Sequence, residues 1–166
     1  MFETQYLDEC LAQLRKLKAQ AEKAIAQVDD TQFSAFLDAD ANSIALIMKH
    51  VAGNMRSRWT NFLETDGEKA DRDRDSEFET GPGDTREGIL VQWENGWART
   101  LGAISALTPD DLSKTVTIRG EPHTVIQAIN RQLTHYSAHV GQIVLLAKHF
   151  AGPQWQTLSI AKRGKG

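Results

Sequence analysis

The run TVIQAINRQLTHYSAHVGQIVLLAKHF, Thr124 to Phe150, decides the fold. Val125, Ile129, Tyr136, Val140, Ile143 and Ala147 recur at steps of three, four or seven residues. That period lays one apolar stripe along a helix. Gly152-Pro153 closes the run, because neither residue continues a helix well. Inside it, His135 and His139 stand four apart. On a helix this spacing puts both imidazoles on one face, a turn from each other.

Three more amphipathic runs lie upstream. From about Thr4 to Val28, Leu7, Leu11, Leu14, Ala21, Ile25 and Val28 keep mostly helical spacing, and Asp29, Asp30 and Thr31 end the run. A second helix is predicted over Ser43 to Leu63, with Asn42 or Ser43 as its cap. Its stripe is Ile44, Ile47, Met48, Val51, Met55, Trp59 and Phe62. Gly53 sits inside it at a cost of about 1 kcal/mol relative to Ala, which a close packing neighbour would explain. A third helix is predicted over Thr85 to Leu107 from Ile89, Trp93, Trp97, Leu101 and Ile104, and Thr108-Pro109-Asp110-Asp111 stops it.

The connections differ in kind. ETDGEKADRDRDSEFETGPGDTREG, Glu64 to Gly88, is polar and alternates in charge sign, so no apolar face can be drawn through it. Its polarity favours a solvated crossover over a functional loop. In TVTIRGEPHTV, Val116 and Ile118 alternate with threonines before Arg119-Gly120-Glu121-Pro122, the pattern of a small hairpin. The expectation is an all-α chain: a four-helix bundle with a long crossover between helices 2 and 3 and a small hairpin before helix 4.

At 166 residues the chain is expected to form one domain, 1–166, able to bury a core without staples. A formal net charge of -3 argues against a nucleic-acid binder, which needs a basic face. The basic cluster Lys162, Arg163 and Lys165 reads as a solvated end. The single cysteine, Cys10, cannot form an internal disulfide and reads as a small buried hydrophobe. The N-terminus has no apolar signal core, and the longest apolar run, Ile143 to Ala147, is too short to span a bilayer. A soluble cytoplasmic protein without membrane association is the expectation.

The histidines carry the candidate chemistry. Neutral imidazole is a good ligand for zinc, nickel, iron or copper, and bundle proteins build such sites from facing helices. His135 and His139 need a third ligand, for which His50 on the second helix is the obvious candidate and His123 in the hairpin the alternative; His149 lies beyond the pair near the helix end. On a helical wheel His139 falls at the edge of its stripe, His135 further round, and His50 off the centre of its own. All three are therefore expected at a flank. The pair is no zincin motif, since Tyr136 stands where the general-base Glu would. Nucleophile elbow, phosphate loop and dinucleotide fingerprint are also missing from the sequence.

Asn54 and Arg58 continue the strip that His50 begins. They suit contact with an anionic substrate, and Arg58 equally suits an anchor to Asp66 or Glu68. Trp59, Trp93 and Trp97 read as core residues, and Tyr136 as core-facing with its hydroxyl at the rim.

A histidine in the second helix, a long connection and His-x3-His in the fourth resemble the DinB-like superfamily, which includes bacillithiol-transferase-like proteins. The stretch KHVAGNMRSRWTNFLETDGEKADRDRDSEFE, Lys49 to Glu79, resembles an uncharacterised bacterial branch of it. The resemblance covers nearly the whole chain. It implies an up-down-down-up four-helix bundle, frequent homodimers, and a metal, commonly nickel or zinc, on three histidines. By position those ligands are His50, His135 and His139. It further implies a metal-dependent enzyme, either a transferase of a low-molecular-weight thiol or a hydrolase. The alternative is a non-catalytic dimeric bundle that binds a small ligand or a protein partner.

Overall fold

The structure, a computed structural model, describes residues 2–160. The basic cluster Lys162, Arg163 and Lys165 lies outside the described residues. The described chain is mostly helical. Helix α1 spans Phe2–Ile25, α2 Asp30–Phe33, α3 Ile44–Trp59, α4 Arg86–Ser105 and α5 Val125–Ala151. Strands β1 (Thr115–Ile118) and β2 (Glu121–Thr124) pair antiparallel, with Val116 opposite His123 and Ile118 opposite Glu121. The hairpin expected from alternation is present. None of the described helices is long and apolar enough to cross a membrane.

Local chemistry sets the helix starts. The Ser43 side chain accepts from Leu46 N–H, Thr85 accepts from Gly88 N–H, and Thr124 with Gln127 forms a capping box on α5. The ends are less faithful to periodicity. The apolar pattern carries the first helix to Val28, but α1 stops at Ile25. Asp29 then starts the four-residue α2 with its own capping box on Gln32, which buries Phe33 completely. The second predicted helix ends at Trp59 instead of Leu63: Thr60 turns extended, and Asn61 takes φ 48°. Phe62 still reaches the core, from a turn.

The long helices share one core. Helix α3 packs along α4 and α1 along α5, while α3 also meets α5 and α1 meets α4. Trp93, Trp97, Tyr136, Leu14 and Ile129 are fully buried in it. Trp59 and Cys10 are buried as expected. Tyr136 is not. Its hydroxyl lies inside rather than at the rim, accepting from Trp59 Nε1 at 2.9 Å and donating to Asn54 Oδ1 at 3.1 Å. A buried phenol needs such partners, and these two are available only once α3 and α5 pack.

The crossover departs most from its reading. Its polar residues act as internal anchors instead of facing water throughout. The Ser57 hydroxyl, fully buried on α3, donates to Gly67 O at 3.0 Å and accepts from Lys69 N–H at 2.9 Å. Gly67 N–H donates to Thr117 O of β1. The Asp66 carboxylate accepts from the backbone N–H groups of Glu68, Arg119 and Gly120, the last two being the hairpin turn. Further on, Lys49 of α3 pairs with Asp84 at 2.7 Å. Between these anchors a short 3-10 turn, Asp75–Phe78, is pressed against α3 and buries Glu77.

Candidate metal centre

Helix α3 presents His50, and α5 presents His135 and His139. Their ligand atoms all lie within 4.8 Å of one another. The Nε2 atoms of His139 and His135 are 3.0 Å apart, and those of His50 and His135 3.4 Å apart. Nitrogens about 2.0–2.1 Å from one tetrahedral ion stand about 3.3 Å from each other. The spacing therefore fits a shared ion. His123 is elsewhere, its Nδ1 3.0 Å from Glu121 O, and His149 stacks edge-on against Phe150.

Neighbouring acceptors settle which nitrogen is free. His50 Nδ1 lies 2.9 Å from Glu77 Oε2, and His139 Nδ1 lies 2.8 Å from Gln142 Oε1. Both partners are acceptors, so each Nδ1 carries the hydrogen and donates it. Each Nε2 then turns a bare lone pair toward His135. Two lone pairs converging on a third ring is a poor arrangement for hydrogen bonding alone, since His135 Nε2 has at most one proton to offer. A cation satisfies it. A carboxylate behind His50 and an amide behind His139 are how proteins orient ligating imidazoles and raise their basicity, while His135 Nδ1 has no hydrogen-bond partner among the described residues.

The electrostatics favour the neutral, metal-binding form of His135 and His139. Burial pushes the His135 pKa down to about 3, reinforced by the neighbouring His139, His50, Arg72 and Arg58. Burial lowers His139 as well, against the opposing hydrogen bond to Gln142. Glu77 behaves the other way. Burial would raise its carboxyl, but hydrogen bonds from His50 and Arg72 outweigh that and hold it below the usual carboxylate value. Arg72 grips Glu77 with Nε and Nη2, both at 2.8 Å, in a two-point fork.

The wheel put His50 at a flank, yet it is only 5% exposed. The crossover makes the difference: Glu77 covers its Nδ1 side, and Phe78 stacks with its ring centroid 4.6 Å away. Gly53, one turn along α3, gives Glu77 its room. A Cβ at Gly53 would land on the Glu77 carboxyl group, 2.8 Å from Cδ. The close neighbour expected there is thus a carboxylate from the crossover.

Asn54 and Arg58 are both buried on the strip below His50, and both line a cavity of about 210 Å³ whose wall includes His50 and His135. Arg58 Nη2 lies 3.8 Å from Glu68, one of the two anchors expected for it. Glu77, Arg72 and Gln142 escaped sequence reasoning. Gln142 was legible in principle, three residues after His139 on one helix. Glu77 and Arg72 were not, because nothing distinguishes them from their neighbours in an alternating charged run.

A comparison with curated proteins returns no match. Residues 1–164 match the family described as protein of unknown function (DUF1572), and the chain belongs to that family.

Proposed function

We propose that the protein is a metal-dependent enzyme of DinB-like type, holding a divalent ion on His50, His135 and His139. The observation that carries this is the convergence of the three Nε2 atoms, with the lone pairs of His50 and His139 fixed inward by Glu77 and Gln142. Nickel and zinc are the ions proposed, since both accept imidazole nitrogen. Three neutral ligands leave coordination positions open, and the bound ion supplies a Lewis acid that lowers the pKa of a thiol or a water. The reaction proposed is transfer of a low-molecular-weight thiol, or hydrolysis.

The chain's own residues do the rest. Glu77 holds His50 in one tautomer, and Arg72 holds Glu77. Asn54 and Arg58 contact the substrate beside the histidines. The arrangement proposed is a single domain, 1–166, forming an up-down-down-up four-helix bundle that works as a cytoplasmic homodimer on small molecules. Neither nucleic acid nor membrane is its target in this reading.

Elemental analysis of untagged protein tests the premise. A stoichiometric divalent metal is expected in the wild type. His139→Ala should lose it while the helical circular dichroism is kept. Wild-type protein that stays metal-free after incubation with nickel and zinc would sink the proposal.

A further inference from the structure

The cavity beside the histidines has an unusual lining. Five arginines reach it: Arg58, Arg72, Arg74, Arg119 and Arg131. No carboxylate is among its lining residues. Behind the wall, Glu68 faces Arg58, Arg72 and Arg119, and Glu77 is taken up by Arg72. Arg74 has exposed Asp75 4.0 Å away. Arg131 has no ion-pair partner among the described residues, and its charge opposes that of Arg58. Positive charge is therefore in excess around a small cleft open to solvent on one side.

Arg58 sharpens the point. It is only 2% exposed, and its Nε and Nη1 have no hydrogen-bond partner among the described residues. Leaving a buried guanidinium donor unpaired is costly, and the cost is removed when an acceptor fills the site. Gln132, also 2% exposed, lines the same cavity with an unpaired Oε1. Rotating its amide presents two N–H donors instead.

We propose that this cavity is an oxyanion subsite. It takes the carboxylate or phosphate of a small ligand whose reacting end sits at the three histidines. The planar donor fork of arginine matches both groups. At about 210 Å³ the cavity is smaller than a drug-sized pocket and suits a compact charged group. His50 and His135 belong to both the cavity wall and the histidine cluster, so the anion and the reacting atom are a few bonds apart. The placement of the reacting end rests on the metal reading above; the subsite itself rests on the arginines.

Titration calorimetry separates the two. Metal-free and zinc-loaded wild-type protein are titrated with inorganic phosphate, succinate, mercaptosuccinate and neutral 2-mercaptoethanol. Phosphate or succinate should bind the metal-free protein, more weakly as salt is raised. Whichever binds tighter identifies the oxyanion. Arg131→Ala, an exposed position that leaves the fold intact, and Arg58→Gln should each weaken that binding about tenfold or more. If zinc binds, mercaptosuccinate should exceed 2-mercaptoethanol on the loaded protein. If no metal binds but the anions do, the metal reading fails and the subsite stands. Failure of both anions to bind overturns the subsite, as does unchanged affinity in folded Arg131→Ala and Arg58→Gln.

Discussion

Gly53 is where one missing side chain decides the site. On an isolated helix Gly53→Ala would gain about 1 kcal/mol in helix propensity. Here the added methyl group takes the space of the Glu77 carboxylate. That carboxylate cannot simply swing away, since His50 and both arms of Arg72 hold it. Gly53→Ala is therefore expected to destabilise the metal-free protein by about 1–3 kcal/mol, the usual cost of overpacking. It should also weaken metal retention, because His50 loses the acceptor that fixes its tautomer. Urea unfolding and chelator competition check the two effects. A stabilised variant with unchanged metal affinity would show that Glu77 is free to move.

At the scale of elements, Asp66 ties the crossover to the hairpin. Its carboxylate accepts from three backbone N–H groups, including those of Arg119 and Gly120, whose φ values are 56° and 77°. Two consecutive positive φ values make the tight hairpin turn that matches strand twist, and Gly120 suits it while Arg119 does not. Asp66 compensates at Arg119. Partial burial would raise its carboxyl, but the three backbone hydrogen bonds outweigh that and hold it below the ordinary 3.8. A carboxyl lowered on folding contributes stability that is complete above its unfolded value and fades as pH falls through its folded one. Asp66→Ala should then cost about 1–2 kcal/mol at pH 7, with the difference from wild type shrinking below about pH 4. Thermal melts across pH 2.5–7 read both; a gap that persists undiminished at the acid end would exclude this role for the charge.

For the whole molecule, the histidine cluster joins α3 to α5, helices distant in sequence. A ligand bound only by the folded chain stabilises it by mass action, about 2.7 kcal/mol at a free concentration of 100 times Kd. Nickel or zinc should raise the melting temperature of metal-free wild type, and a chelator should reverse the rise. His139→Ala should respond to neither. An equal shift in that variant would place the binding elsewhere on the molecule.

Much of this was legible in the chain. Apolar periodicity gave the long helices, alternation gave the hairpin, and the resemblance selected His50 over His123 before any distance was known. The helix and hairpin readings succeed because helices and strands impose fixed periods on whatever they bury. The lengths of α1 and α3 were overrun, since apolar residues such as Val28 and Phe62 can reach the core from turns as well as from helices. The crossover was misjudged because its anchors are hydrogen bonds and ion pairs, which carry no period. What the sequence alone determined is the helical elements and which histidines could act together. What only tertiary structure decided is the burial of His50, its hydrogen bond to Glu77, the space Gly53 leaves, and the gathering of arginines beside it. Each of those depends on contacts between residues far apart in the chain, and pattern within one segment cannot encode them.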